Sequence, residues 1–181
     1  MHHFPTVSFK RRIAALLYEA LLVGAVSMGA ALVAGMAAMA LNPVSHILSS
    51  LAATLILLAV WWLYFKANWH KKGQTLPMRV WKIGLTNAAG SRPPLPQLRL
   101  RFMWACVFIV FIPMLVYAAV RHFNGIPPKP AFGVALIWWI LPWGFAFLNP
   151  DRQFLYDFLA GTRLVDLNEQ SFKANQNKPS E

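Results

Sequence analysis

Glu19 is the residue whose type and position ask for a chemical explanation. It is one of six acids, the other five all lie beyond residue 150, and it sits inside an apolar run spanning 13–41. An acid at the centre of a membrane helix costs on the order of 2.5–3.5 kcal/mol on insertion scales, and such residues mark proton and ion pathways. Arg12 precedes it by nearly two helical turns and shares its face, with roughly 10 Å between the two backbones. This pair supports a protonatable site tuned by a neighbouring cation. It equally supports an Arg–Glu pair, or a Glu paired to another helix, that fixes packing. A second charged group follows the fourth apolar run: Asp151-Arg152, then Asp157, Thr162 and Arg163 within F-L-Y-D-F-L-A-G-T-R-L-V. Its chemical reading is an ion or proton site. Its structural reading is a salt bridge closing a helix end, which contributes about 0–1 kcal/mol where exposed. Arg12, Glu19 and Asp157 all fall near one side of the bilayer, and the sequence predicts that they meet in one cluster.

Other chemistry finds little support. His46, His70 and His122 lie near the ends of apolar runs, His2 and His3 are terminal, and none has a metal-ligand partner at useful spacing. No metal or cofactor is expected. There is no Ser/His arrangement, no paired carboxylate and no H-E-x-x-H, so an enzyme is not expected. The single Cys106 excludes an internal disulfide framework.

The elements that must position these residues are set by composition. The 181 residues are 57% apolar and 13% charged, against about 45–50% and about 25% in soluble domains. Too little polar surface remains to cover a soluble fold, so a bilayer is the expected environment. Four runs suit spanning helices: 13–41, 47–65, 102–120 and 132–148, the second following a tight Asn42-Pro43 break. The fourth is short and contains Pro142, so a tilted, kinked or incompletely spanning helix is expected there. The net charge of +11 is distributed by side: fifteen of the seventeen basic residues flank the spans on one side, leaving Arg121 and Lys129 on the other. Basic residues stay cytoplasmic, which predicts cytoplasmic termini and a cytoplasmic loop between spans two and three. The charge therefore reflects orientation and anionic headgroups, and no nucleic-acid partner is expected. Lys10-Arg11-Arg12 followed by the first run resembles a signal peptide, but the run is about twice the usual length of roughly 7–15 residues. It reads as a retained helix. Trp61, Trp62, Tyr64, Trp69, Trp138, Trp139 and Trp143 read as interfacial anchors.

The loop 66–101 begins with a polar turn, Lys71-Lys72-Gly73-Gln74-Thr75. A short helix over 76–81 follows, with Thr75 as its cap and Pro77 tolerated in its first turn. Residues 82–86 read as a strand entering an Asn87-Ala88-Ala89-Gly90 turn, and 161–167 as a second strand. The two can pair into a small cytoplasmic sheet. Residues 92–96 read as a stiff linker. The fold expected is all-α and membrane-embedded, with four spans and this small loop element: one transmembrane domain over 1–167, then a disordered tail over 168–181. Within the first span, Ala20/Gly24, Ala25/Gly29 and Ala31/Gly35 have small-xxx-small spacing. That predicts a central packed helix, inside the chain or across a homo-oligomer.

Taken together, the chain resembles the RDD family of small bacterial membrane proteins. R-R-I-A-A-L-L-Y-E-A-L-L over 11–22 matches its opening motif, with Arg12 or Arg11 as the arginine. K-G-Q-T-L-P-M-R-V-W-K over 72–82 carries its G-Q-T motif, through Gln74 and Thr75. D-R-Q-F-L-Y-D-F-L-A-G-T-R-L-V over 151–165 matches its closing motif, with Asp157 as the final aspartate. Two positions depart from the pattern: Glu19 stands where the family usually has aspartate, and Pro77 where it usually has glycine. The resemblance implies a cytoplasmic-membrane protein with a bacterial host, with transport of an undefined ligand suggested and cation/proton exchange linked to some members. Two functions follow as expectations. One is a proton-coupled transporter of cations or small solutes, acting with the bilayer, a proton or monovalent cation, and a second copy. The other is a non-catalytic accessory protein that binds another membrane complex.

Overall fold

In the first span the backbone becomes helical before the apolar run begins. Helix α1 covers Phe9–Leu41, starting after Ser8 in extended conformation and taking Arg11 and Arg12 into its first turn. At 1.5 Å per residue it is about 50 Å long, well over the roughly 30 Å hydrocarbon core. The structure, a computed structural model, describes residues 7–168. The expected disorder of the tail falls almost entirely outside those residues, as do His2 and His3.

The described residues form two compact units, 8–83 and 84–168, the second joined by Val7. In the first unit, Asn42, Pro43 and Val44 make the expected turn. Ser45 then caps α2, His46–Lys72, by accepting a bond from the Leu48 N–H at 3.4 Å. Three hydrogen bonds set α1 and α2 antiparallel: Ser49 Oγ to the Ala38 carbonyl (3.3 Å), Trp61 Nε1 to Ser27 Oγ (2.8 Å) and Tyr64 Oη to Glu19 Oε1 (2.7 Å). As numbering rises along one helix it falls along the other. Helix α2 outlasts the predicted 47–65 by almost two turns, because the helix stops where a left-handed residue lets it stop. That residue is Gly73, at φ 65°, with His70, Lys71 and Lys72 in the preceding turn against the negative helix end. Thr75 caps α3, Leu76–Val80, as expected, and Pro77 is buried in its first turn.

One expectation about this hairpin is corrected: the small-residue pairs of α1 do not pack within the chain. Ala15, Ala30 and Ala34 are the buried small residues of α1, whereas Ala20, Gly24, Ala25, Gly29, Ala31 and Gly35 are exposed. The small-xxx-small pairs are therefore not the packing surface within the chain. The packing surface is the face where Ser27 and Glu19 receive hydrogen bonds from α2. Correspondingly, Trp61 and Tyr64 hold the hairpin together, and Trp69 is buried and stacked on Phe65 at 4.6 Å. These residues therefore pack the hairpin.

Strand β1, Ile83–Asn87, pairs antiparallel with β2, Thr162–Asp166, so the predicted two-strand element forms. Asn87 Oδ1 accepts from the Ala89 and Ser91 N–H groups, each at 2.9 Å, closing the turn that Gly90 completes at φ 80°. Helix α4, Leu95–Cys106, begins inside the expected linker: Pro94 precedes it and Pro96 lies in its first turn. Prolines fit there because first-turn N–H groups have no helical acceptor anyway. Arg99 and Arg101 are consequently helical rather than loop residues.

A π turn, Val107–Phe111, joins α4 to α5, Ile112–Asn124. Its cause is legible. Pro113 has no N–H for the Ile109 carbonyl four residues back, and Trp139 Nε1 donates to that carbonyl at 3.0 Å instead. The fourth span comprises α6, Pro128–Ile137, and α7, Ile140–Leu148. It is 21 residues long, about 32 Å, and so long enough to cross. Its break falls at Trp138–Trp139 rather than at Pro142. Pro142 cannot bond the Trp138 carbonyl, which accepts from Leu141 at 3.2 Å in a tighter turn. Helix α8, Leu155–Leu159, then leads into β2.

Candidate functional site

Both acids singled out by the sequence are held by specific side chains, and the two belong to different units. Glu19, part-buried in the third turn of α1, accepts one hydroxyl on each oxygen. Tyr64 Oη donates to Oε1 at 2.7 Å, and Thr75 Oγ1 donates to Oε2. Tyr64 comes from the end of α2, where Asn68 Nδ2 caps its carbonyl at 2.8 Å. Thr75 is 1% exposed and also caps α3, accepting from the Met78 N–H at 3.5 Å. One hydroxyl thus serves both the helix start and the carboxylate.

The residues around this point are fixed to backbone. Gln74 Nε2 donates to the Ile83 carbonyl at 2.7 Å. Arg11 Nη2 donates to the Trp81 carbonyl and to that of Lys82, the latter at 3.4 Å. Lys82 sits at φ 51°, a left-handed position uncommon for a side-chain-bearing residue. Arg12, one residue on from Arg11, is 1% exposed. The two candidate arginines thus differ: Arg11 ties down the α3 exit, and Arg12 is buried.

In the second unit, Asp157 is 0% exposed, on α8. Its Oδ1 accepts from Arg101 Nε at 2.6 Å and from Thr162 Oγ1 at 3.0 Å. Its Oδ2 is buried and has no hydrogen-bond partner among the described residues. Arg101 is 7% exposed, and its guanidinium lies over the Tyr156 ring at 5.5 Å. Gln153 Nε2 binds the Thr162 carbonyl at 2.8 Å, and Gln97 Nε2 binds that of Gly161 at 2.7 Å. Gly161 takes φ 65°, so the chain turns sharply between α8 and β2. Arg163 pairs with Asp151 at 2.9 Å, each about one-third exposed. The nearby base does not serve Asp157; a base from a helix fifty-six residues earlier does. Arg152 is left-handed at φ 49°.

Sequence reasoning missed Tyr64, Arg101, Gln97 and Gln153. A signal existed for Tyr64: counting equal distances from the Asn42–Ser45 turn puts Glu19 opposite the last turns of α2, where Tyr64 carries a hydroxyl. Arg101 was hidden among basic residues that orientation already explained. Nothing in the sequence links Gln97 or Gln153 to Asp157 before the fold is known. No group of three or more His, Cys, Asp or Glu suited to a metal occurs among the described residues.

The two arrangements differ chemically. The Asp157 cluster is a buried ion pair with hydrogen-bonded support, which fixes three elements. The Glu19 carboxylate accepts two hydroxyls, and a hydroxyl can donate to a carboxylate or accept from a carboxylic acid. Each of these two hydroxyls can meet either protonation state by turning.

Neither the curated proteins nor the solved structures compared with the chain give a match. A family profile described as the RDD family matches residues 6–161. That stretch takes in Arg12, Glu19, Gln74, Thr75, Arg101 and Asp157, and ends just before β2. Its motifs lie where the two clusters form, on a chain whose four long helices are apolar enough to cross a membrane. This membrane protein belongs to the RDD family.

Proposed function

We propose that the protein is a proton-coupled transporter of cations or small solutes in the cytoplasmic membrane, with Glu19 as its proton site. The observation that carries the reading is the pair of hydroxyls on an acid inside a membrane helix. Tyr64 Oη at 2.7 Å and Thr75 Oγ1 hold the carboxylate, and both can reverse from donor to acceptor when a proton arrives. Thr75 passes that change to the start of α3, because the same hydroxyl caps it. The biased distribution of basic residues supports cytoplasmic termini. Four spans are few for a translocation path, so the working unit in this reading is a homo-oligomer.

The test is ion-driven proton flux in proteoliposomes holding the purified protein, with sodium, potassium and lithium compared. Wild type should move protons, Glu19→Gln should not, and Tyr64→Phe should shift the pH profile of the flux. Absence of flux from folded wild-type protein, or full flux in Glu19→Gln, would refute the reading.

A second reading, an accessory protein that binds another membrane complex, is favoured by one observation. Ala20, Gly24, Ala31 and Gly35 share one exposed face of α1, and a Cβ added at Gly24 or Gly35 would meet nothing within 4 Å. Such a face admits the close approach of another helix. Stable co-purification of one membrane partner, lost on Gly24→Leu, would select it over transport.

A further inference from the structure

A groove of about 600 Å³ lies in the second unit, walled by the π turn and α5 on one side and by α6 on the other. Its volume falls within the roughly 300–1,000 Å³ of small-molecule sites. Along its length the lining is apolar, with Ile109, Val110, Met114, Phe132, Leu136 and Trp139. Polar groups gather at one end, where Tyr117 and Lys129 line it. Arg121 Nη1 donates to Tyr117 Oη at 3.4 Å, and its guanidinium stands 5.9 Å from the centre of that ring.

The groove is built by specific residues. Pro113 prevents a regular helix across the π turn, and the Trp139 indole locks onto the freed Ile109 carbonyl at 3.0 Å, so one wall is pinned to the other. The charge at its end is equally specific. Arg121 and Lys129 are the basic residues between Arg101 and Arg152, and the sequence holds no acid between Glu19 and Asp151. A ligand that fits is apolar along most of its length and anionic at one end.

We propose that this groove binds one acidic phospholipid, its acyl chain along the Phe132 and Leu136 side and its phosphate between Lys129 and Arg121. A soluble anion would leave the apolar length unfilled, and a zwitterionic lipid would bring a quaternary ammonium that the two cations repel. This inference rests on none of the residues that carry the proposed transport function. Each basic residue near an anionic headgroup contributes about fivefold in binding, so the pair gives a preference of about 25-fold.

The experiment is native mass spectrometry of the full-length protein in mild detergent. Palmitoyl-oleoyl phosphatidylglycerol is offered against phosphatidylcholine with the same chains. One phosphatidylglycerol should be retained with about 25-fold preference. Arg121→Gln with Lys129→Gln, both exposed positions, should bring the two lipids to near parity. Met114→Trp, which fills the groove from an exposed position, should lower retention of both. Equal retention of the two lipids by wild type would overturn the proposal. So would phosphatidylglycerol retention unchanged by the double glutamine variant, or a lipid-free dimer that Met114→Trp dissociates, which would give the groove to a second copy.

Discussion

Replacing Asp157 with asparagine tests whether the closing motif is the structural fastener that its geometry describes. The carboxylate is 0% exposed and receives Arg101 Nε at 2.6 Å, while Arg101 itself is 7% exposed. Asparagine keeps an oxygen for Arg101 and Thr162, so the substitution removes the charge and little volume. Taking the anion from beside a buried cation costs about 3–5 kcal/mol. A chain of this size loses about 2–4 °C of melting temperature per kcal/mol, so the expected drop is about 6–20 °C. The protein supplies its own control. Arg163 and Asp151 also form an ion pair, at 2.9 Å, but each is about one-third exposed. Screening by solvent leaves such a pair with about 0–1 kcal/mol, so Asp151→Asn should shift melting by at most about 4 °C.

The assay is thermal unfolding of the purified protein in one detergent, with Arg101→Met and the Arg101→Met/Asp157→Asn double variant completing a cycle. The coupling between the two sites should reach about 2 kcal/mol, within the range for residues in direct contact. The reasoning is refuted if Asp157→Asn melts no lower than Asp151→Asn, or if the cycle is additive. In either case the 2.6 Å contact would not be holding α4, α8 and β2 together.

Further predictions test other joints. Trp139→Phe leaves the Ile109 carbonyl without its donor at 3.0 Å and should cost about 1–3 kcal/mol in unfolding experiments. Combining it with Pro113→Ala, which restores an N–H, should recover part of that loss. Thr75→Val removes a cap and one hydroxyl from Glu19; it should cost about 1–2 kcal/mol and alter the pH profile of any proton flux. Gly73→Ala forces a Cβ into φ 65° and should cost about 1 kcal/mol by thermal melting.

How far the sequence reached can be judged residue by residue. Apolar length located all four spans, because a bilayer demands about 20 such residues whatever their partners. It located their ends less well. Helices α1 and α2 continue beyond the apolar residues, since hydrogen bonding and a Gly73 stop decide where a helix ends. Local signals survived: the Asn42-Pro43 turn, the Thr75 cap and each strand taken singly involve residues close in sequence. Pro142 signalled a break, but the break lies at Trp138, the residue whose carbonyl the proline fails to bond. What remained hidden depends on residues far apart. Arg101 meets Asp157 across 56 positions, and Tyr64 meets Glu19 across 45. The small residues of α1 do not pack within the chain for a related reason. Spacing shows which faces can pack closely, whereas the hydrogen bonds of Trp61 and Tyr64 decide which face does.

The contrast between the two acids bears on where a proton-coupled step can occur. A guanidinium has donors and no acceptor, so Arg101 complements the Asp157 carboxylate and gains nothing from the protonated form. Protonating Asp157 would take the charge from an interaction that fixes three elements in place. Tyr64 and Thr75 impose no such penalty on Glu19, because each hydroxyl has both a hydrogen to give and lone pairs to receive one. Yet the response is not silent. When Glu19 takes a proton, the hydroxyl that turns to accept it no longer donates to that oxygen, and Thr75 is also the acceptor for the Met78 N–H. Lone pairs on Thr75 that become engaged by a protonated Glu19 compete with that cap. The start of α3 is therefore the element expected to loosen as Glu19 takes up a proton. Amide hydrogen exchange at Met78 should report it, faster at low pH in wild type and independent of the Glu19 proton in Glu19→Gln. Exchange at Met78 showing the same pH dependence in both proteins, beyond the intrinsic chemistry of exchange, would disconnect Thr75 from the proton.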